Sequence, residues 1–98
     1  MSFKVRYSLR ARHEEIKLLE YIVEGFGRKK AKEVYERIEK VLDHICNVPE
    51  MYPVSKQRSG LRKCVFSKQT SIYYQINKDY IEIVSFRPNR SDPKKFKV

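Results

Sequence analysis

The polarity of the chain changes period along its length. Residues 2–8, SFKVRYS, alternate: Phe3, Val5 and Tyr7 fall on one side, Lys4 and Arg6 on the other, as in a half-buried strand. Ser8 then offers a side-chain oxygen to the free amides of a helix start. From Leu9 to about Glu24 the period becomes helical, and Ile16, Leu19, Ile22, Val23 and Phe26 are expected to form its inward stripe. Gly25-Phe26-Gly27 closes this helix, because glycine accepts the left-handed backbone of a helix end. A second helix is expected over 28–47, inward at Ala31, Val34, Ile38, Val41, Leu42 and Ile45. Val48-Pro49 stops it, since the residue before proline avoids the helical region. So short a link between the two makes them an antiparallel hairpin.

Residues 48–59 read as a loop with two prolines. Beyond it come three short runs rich in β-branched and aromatic residues, GLRKCVF, TSIYYQI and YIEIVSF, separated by polar breaks of hairpin length. They predict an antiparallel meander from Gly60 to Phe86. Ile72, Tyr74 and Ile76 share one face of its middle strand, with Ser71, Tyr73 and Gln75 opposite. The last strand is apolar on both faces, which places it centrally. Residues 87–98, RPNRSDPKKFKV, read as an irregular basic tail. The fold class is α+β, in the order β-α-α-β-β-β. A helical hairpin covers one face of a small, mainly antiparallel sheet. The other face, with Arg6, Arg62 or Lys63, and Tyr73, is left open for a partner.

The 98 residues suit a single domain spanning 1–98. Charge sharpens the picture. The formal net charge is +10, and it is segregated: residues 1–53 hold 11 Lys/Arg against 9 Asp/Glu, residues 54–98 hold 11 against 3. A basic meander and tail point to an acidic partner, and nucleic acid, an acidic protein segment and anionic membrane are the candidates. No run approaches membrane-spanning length, and MSFKVRYS has no apolar signal core, so a cytoplasmic protein without a membrane partner is expected. Cys46 and Cys64 have no metal-site or disulfide-framework spacing, and buried reduced thiols are the expectation, with one bond between them left open. Neither a metal nor a cofactor is expected.

Candidate chemistry is sparse. RNA cleavage needs a base, a phosphate stabiliser and a proton donor. The two histidines, His13 and His44, lie on the helices, away from the basic region. Glu82 is the one acid within the meander strands and is expected to face Arg62 or Lys63 across strands. Cys64 needs a neighbouring base to act as a nucleophile. Tyr73 and Tyr80 offer stacking faces but more readily pack the sheet. Arg62, Arg87, Arg90, Lys94 and Lys95 form the expected basic docking rim, which also discourages edge-to-edge sheet pairing.

Several short motifs, in order along nearly the whole chain, resemble the RelE/ParE superfamily of bacterial type II toxin–antitoxin toxins. They are Ser8-x-x-Ala11, Tyr21-Ile22, the Gly27 turn, Ala31 with Tyr35, Pro49-Glu50-Met51, Gly60-Leu61-Arg62, Ile72-Tyr73-Tyr74-Gln75-Ile76, Ile81-Glu82-Ile83-Val84 and the basic cluster after them. The resemblance implies the same β-α-α-β-β-β fold and a cognate antitoxin whose acidic segment binds the toxin as a hetero-oligomer. That segment is expected on the exposed side of the helical hairpin and the sheet edge. RelE-like members cleave mRNA on the ribosome with strand arginines and a C-terminal tyrosine. Here Thr70-Ser71 stand where the middle-strand arginine belongs, and Phe96, without a hydroxyl, falls near the tyrosine. The Gly60-Leu61-Arg62-Lys63-Cys64 run looks closer to the ParE branch, which poisons DNA gyrase. The implied function is a ParE-like gyrase inhibitor. Its surface for target or antitoxin is drawn from Arg6, Arg62, Lys63, Tyr73, Arg87, Arg90, Lys94, Lys95 and Phe96. The alternatives are a ribosome-dependent ribonuclease using Arg62, Lys63, Arg87 and Arg90, a non-toxic antitoxin-binding module, and a free-standing nucleic-acid binder.

Overall fold

The chain turns from strand to helix at Ser8, and the hydroxyl there sets how helices and sheet meet. In a computed structural model that describes residues 3–56, 60–67 and 70–88, β1 (Lys4–Tyr7) runs straight into α1 (Leu9–Phe26). Ser8 Oγ accepts from the Ala11 amide at 2.9 Å, satisfying one of the free donors of the first turn. The same hydroxyl donates to the Val84 carbonyl at 2.8 Å, and the Ser8 amide donates to the Ile83 carbonyl at 2.9 Å.

Gly27, at φ 93°, ends α1, and its amide donates to Val23 O at 3.0 Å. A non-glycine residue would be strained at that φ. α2 (Arg28–Asn47) starts at once and packs antiparallel on α1. Its amide cap at Val48 donates to His44 O. Then come β2 (Arg62–Val65), β3 (Thr70–Ile76) and β4 (Tyr80–Pro88). The sheet order is β1-β4-β3-β2, with β1 parallel to β4 and the remaining pairs antiparallel. The β-α-α-β-β-β order and the helical hairpin over one sheet face are as the sequence predicts, and β4 is indeed central.

The tail reading shortens at its start, because β4 continues through Arg87 and Pro88, paired with Ser71 and Thr70. Proline fits the last strand position, where no amide is needed.

The core lies between the hairpin and one sheet face. Ala11 and Ile22 of α1, with Val34, Ile38, Leu42 and Ile45 of α2, pack on Cys64, Ile72, Tyr74, Ile81, Ile83 and Phe86. The α2 stripe follows the sequence reading, but the α1 stripe does not. Ile16, Val23 and Phe26 are 47%, 40% and 51% exposed, while Glu15 is buried. The inward arc is Ala11, Glu15, Leu18 and Ile22, rotated by about one residue, roughly 100°. Two carboxylates cause the rotation. Glu14 Oε1 accepts from the Phe86 amide at 3.0 Å, and Glu15 Oε2 accepts from the Tyr7 hydroxyl at 3.0 Å. Polarity alone would never turn two glutamates inward.

β4 also carries an irregularity. Tyr73 faces Ser85, yet Tyr74 faces Ile83, so Val84 is an extra residue, a β-bulge. The bulge switches the strand's parity and brings Phe86 to the helix side, opposite Ile72. Ser8 and Glu14 hold it from α1, one at the Val84 carbonyl and the other at the Phe86 amide.

No helix among the described residues is long and apolar enough to cross a membrane.

Burial raises the Glu15 carboxyl above its ordinary value. The Tyr7 hydrogen bond and Arg12, 3.6 Å away, oppose that rise, and Glu39 adds to it. A folded state that binds this proton more tightly than the unfolded chain is favoured below the unfolded pKa, and it loses that advantage as pH rises through the folded value. Glu15→Gln is therefore expected to raise the melting temperature by a few degrees at pH 7. The gap should close as pH falls below about 4, where the wild-type carboxyl is protonated. Thermal melts across this pH range check it.

Candidate interaction surface

Residues directly opposite one another across strands share a face, and this rule sorts the basic side chains. Lys63, Tyr73 and Ser85 are aligned across β2, β3 and β4, and Arg6, Glu82 and Gln75 across β1, β4 and β3. Both rows lie opposite the helices. Arg87, aligned with Ser71, belongs to the same face. The structure thus brings Arg6, Lys63 and Arg87 to one side of the sheet.

Arg62 is separated from them. It aligns with Tyr74, on the helix side, at the edge strand. Its guanidinium donates to the Tyr52 carbonyl at 2.6 Å and the Glu50 carbonyl at 3.4 Å. Those donors are spent on the loop after α2. The same loop is held by the Tyr74 hydroxyl on Pro49 O, by the Ser55 amide on Leu61 O (2.7 Å) and by the Lys63 amide on Pro53 O (3.0 Å). Within it the His44 ring lies 3.3 Å from Met51 Sδ and meets the Tyr52 ring edge-on. His44 therefore belongs to the loop's packing. His13, on α1, is exposed.

Tyr73 is not the open platform the alternation suggests, for it is only 6% exposed. Lys63 lies over its ring, with Nζ 5.9 Å from the centroid. Pro53, Val54, Ser55 and Lys56 close in beside it around a hollow of about 300 Å³. Lys56 had no signal in the sequence, since it sits in a loop with no periodicity to place it. The Arg6 guanidinium carbon lies over Tyr80, 4.8 Å from the ring centroid. Glu82 is aligned with Arg6 and Gln75, not with Arg62 or Lys63 as expected, because β3 stands between β4 and β2.

Catalytic groups are scarce on this face. Cys64 points into the core, where burial pushes its thiol pKa up despite a hydrogen bond with Tyr52 that lowers it. Burial raises Cys46 as well, with Asp43 adding to it, so neither thiol is activated as a nucleophile. Both are free cysteines. Thr70 and Ser71 are buried. Among the described residues no three His, Cys, Asp or Glu side chains gather as a metal site. Arg90, Lys94, Lys95 and Phe96 lie outside the described residues.

Arg6, Lys63 and Arg87 thus lie around a sheet side whose middle, at Ser71, Tyr73 and Ser85, is buried. Known proteins agree with the fold. A family model described as the ParE toxin of the type II toxin–antitoxin system, parDE, matches residues 5–93. No protein of curated function matches the sequence. Among solved structures, a chain of the chromosomal ParDE system from P. aeruginosa superposes with a TM-score of 0.79 at 13% identity, covering 91% of this chain and 98% of that one. The YoeB/ParE toxin from Agrobacterium tumefaciens gives 0.64 at 13% identity, over 89% and 99%. A chain of the E. coli DinJ-YafQ toxin–antitoxin complex gives 0.60 at 10%, over 90% and 93%. At such identities these likenesses speak for the fold.

The split between Arg62 and Lys63 has a direct test. Arg62→Ala should cost about 1–3 kcal/mol, the range for losing charged hydrogen bonds. It should also speed amide exchange at Met51 and Ser55, whose loop it releases. Lys63→Ala should leave both unchanged. Urea unfolding with hydrogen-exchange mass spectrometry reads the two variants side by side.

Proposed function

The chain belongs to the ParE toxin family of type II toxin–antitoxin systems, and we propose that it acts by binding, as an inhibitor of DNA gyrase, rather than by cutting RNA. The observation that carries this reading is the company kept by its sheet-side cations. Arg6, Lys63 and Arg87 share a face with no histidine, no activated thiol, and buried Thr70 and Ser71 where a ribonuclease of the superfamily needs an arginine. Glu82, the one carboxylate aligned on that face among the described residues, is matched with Arg6. Such a set attracts and positions an acidic surface. Among the described residues it holds no paired proton donor and acceptor of the kind that phosphodiester cleavage requires.

A cognate antitoxin completes the system. ParDE and DinJ-YafQ are named as toxin–antitoxin pairs, and an acidic antitoxin segment suits this chain's charge. We place it along the basic start of α2 and the end of the β2 edge at the exposed Val65, past the bridge of Val54 to Arg62 that covers the start of that edge. There Arg28, Lys29 and Lys32 are exposed, and Arg37 bridges to β2's end by lying 4.9 Å over the Phe66 ring. Edge strands offer free backbone groups to an added segment, and the lysines supply the charge match.

The purified, antitoxin-free chain is expected to inhibit supercoiling by gyrase and to trap double-strand breaks. Lys63→Glu with Arg87→Glu, a double change at half-exposed positions, should weaken inhibition at least tenfold while the fold is retained by circular dichroism. Normal supercoiling in the presence of folded wild-type chain would reject gyrase as the target.

A further inference from the structure

The hollow beside Tyr73 has fixed walls. The segment that forms them runs against β2 as a partial strand. Val54 bridges to Arg62, the Lys63 amide donates to Pro53 O at 3.0 Å, and the Ser55 amide donates to Leu61 O at 2.7 Å. Arg62 pins the same segment one residue earlier, at Tyr52 O. Among the described residues the hollow, of about 300 Å³, is lined by Pro53, Val54, Ser55, Lys56, Lys63 and Tyr73. That lining is of two kinds. Pro53, Val54 and the Tyr73 ring are apolar walls. Lys56, exposed, and Lys63, half-buried, bring ammonium groups on apolar stems. No carboxylate stands among the described lining residues to neutralise the pair.

This chemistry selects among anions. Single-stranded nucleic acid stacks its bases on open aromatic faces. Here Tyr73 is 6% exposed with Lys63 over its ring, and Arg6 lies over Tyr80. Phosphates are gripped best by free backbone amides or arginine forks. The Ser55 and Lys63 amides are already spent, and the charged groups of the described lining are lysines. A phosphate would also leave the apolar walls unfilled. A glutamate side chain suits both kinds of lining. Its carboxylate meets the ammonium groups, and its two methylenes, with an apolar neighbour, cover the walls.

We propose that this hollow seats a glutamate side chain of a protein partner, with its carboxylate on Lys56 and Lys63 and an adjacent apolar residue against Pro53 and Val54. The proposal rests on the reading of the chain as an inhibitor that acts by binding. It adds the chemistry that the target must present, an exposed glutamate beside an apolar residue. Opposite charges across such a contact fix its register as well as its strength.

Amide chemical-shift titration of the isotope-labelled full chain tests it, with the capped tripeptide Leu-Glu-Leu, its Leu-Gln-Leu twin and a short oligothymidylate as probes. Saturable shifts are expected at Val54, Ser55, Lys56, Lys63 and Tyr73 with Leu-Glu-Leu, at least fivefold tighter than with Leu-Gln-Leu. The Lys56→Gln/Lys63→Met chain keeps both stems without their charges and should bind the two peptides alike. Equal binding of the two peptides by the wild-type chain overturns the proposal. So does the absence of saturable shifts in the hollow, or shifts there with oligothymidylate alone. Gyrase separates this proposal from the reading beneath it. In surface plasmon resonance without DNA, Lys56→Glu should weaken gyrase binding at least tenfold. A chain that takes Leu-Glu-Leu in the hollow but ignores gyrase keeps the seat and rejects that target. Gyrase binding indifferent to Lys56→Glu, with no response to the peptide, rejects the seat and leaves the target standing.

Discussion

The contact between the start of α1 and the bulge in β4 is the constraint on which the arrangement depends. An extra residue in a strand interrupts its ladder and leaves backbone groups without partners. Here they are met from one helix: the Ser8 hydroxyl takes up the Val84 carbonyl and the Glu14 carboxylate takes up the Phe86 amide. The same Ser8 oxygen caps α1. One side chain therefore fixes where β1 ends, where α1 begins and how both lie on the central strand. With α1 set at that rotation, Glu15 is carried inward against Tyr7, and the outer stripe of Ile16, Val23 and Phe26 is turned to solvent. The rotation that satisfies the bulge thus leaves an apolar stripe on the outer side of α1.

The two sides of the sheet consequently have different tasks. The helix side is closed by a continuous apolar core. The other side gathers Arg6, Lys63 and Arg87, with Lys56 approaching from the loop after α2. That loop is itself held by Arg62, whose Nη1 donates to two of its carbonyls. Of two adjacent basic residues on the edge strand, one secures the scaffold and the other faces outward. Concentrated positive charge on one side of a sheet attracts an acidic partner.

Much of this was legible in the sequence. The shift from period two to helical period and back marks every element, because each buries one face against a single core. α2 reads correctly because its inward positions, from Ala31 to Ile45, are all apolar. α1 misreads because Glu14 and Glu15 face inward on specific hydrogen bonds, which no polarity pattern encodes. The bulge was equally hidden: Val84 looks like any β-branched strand residue, and only the register shows that it flips Phe86 to the helix side. The site suffers from the same parity problem. A run such as Arg62-Lys63 fixes that the two side chains oppose one another, not which of them faces the partner, and strand order decides that Glu82 meets Arg6. Lys56 escapes notice because loops carry no period.

The measurement that bears most directly on a toxin that binds rather than cuts is primer extension on a defined message in a purified translation system, with ribosomes stalled and the antitoxin-free chain added. A full-length message, from a chain shown to be folded, is the result expected of a basic face without acid–base chemistry. Cuts positioned within the codon at the ribosomal A site, lost in Lys63→Ala or Arg87→Ala, would contradict it and make the same face a ribonuclease site.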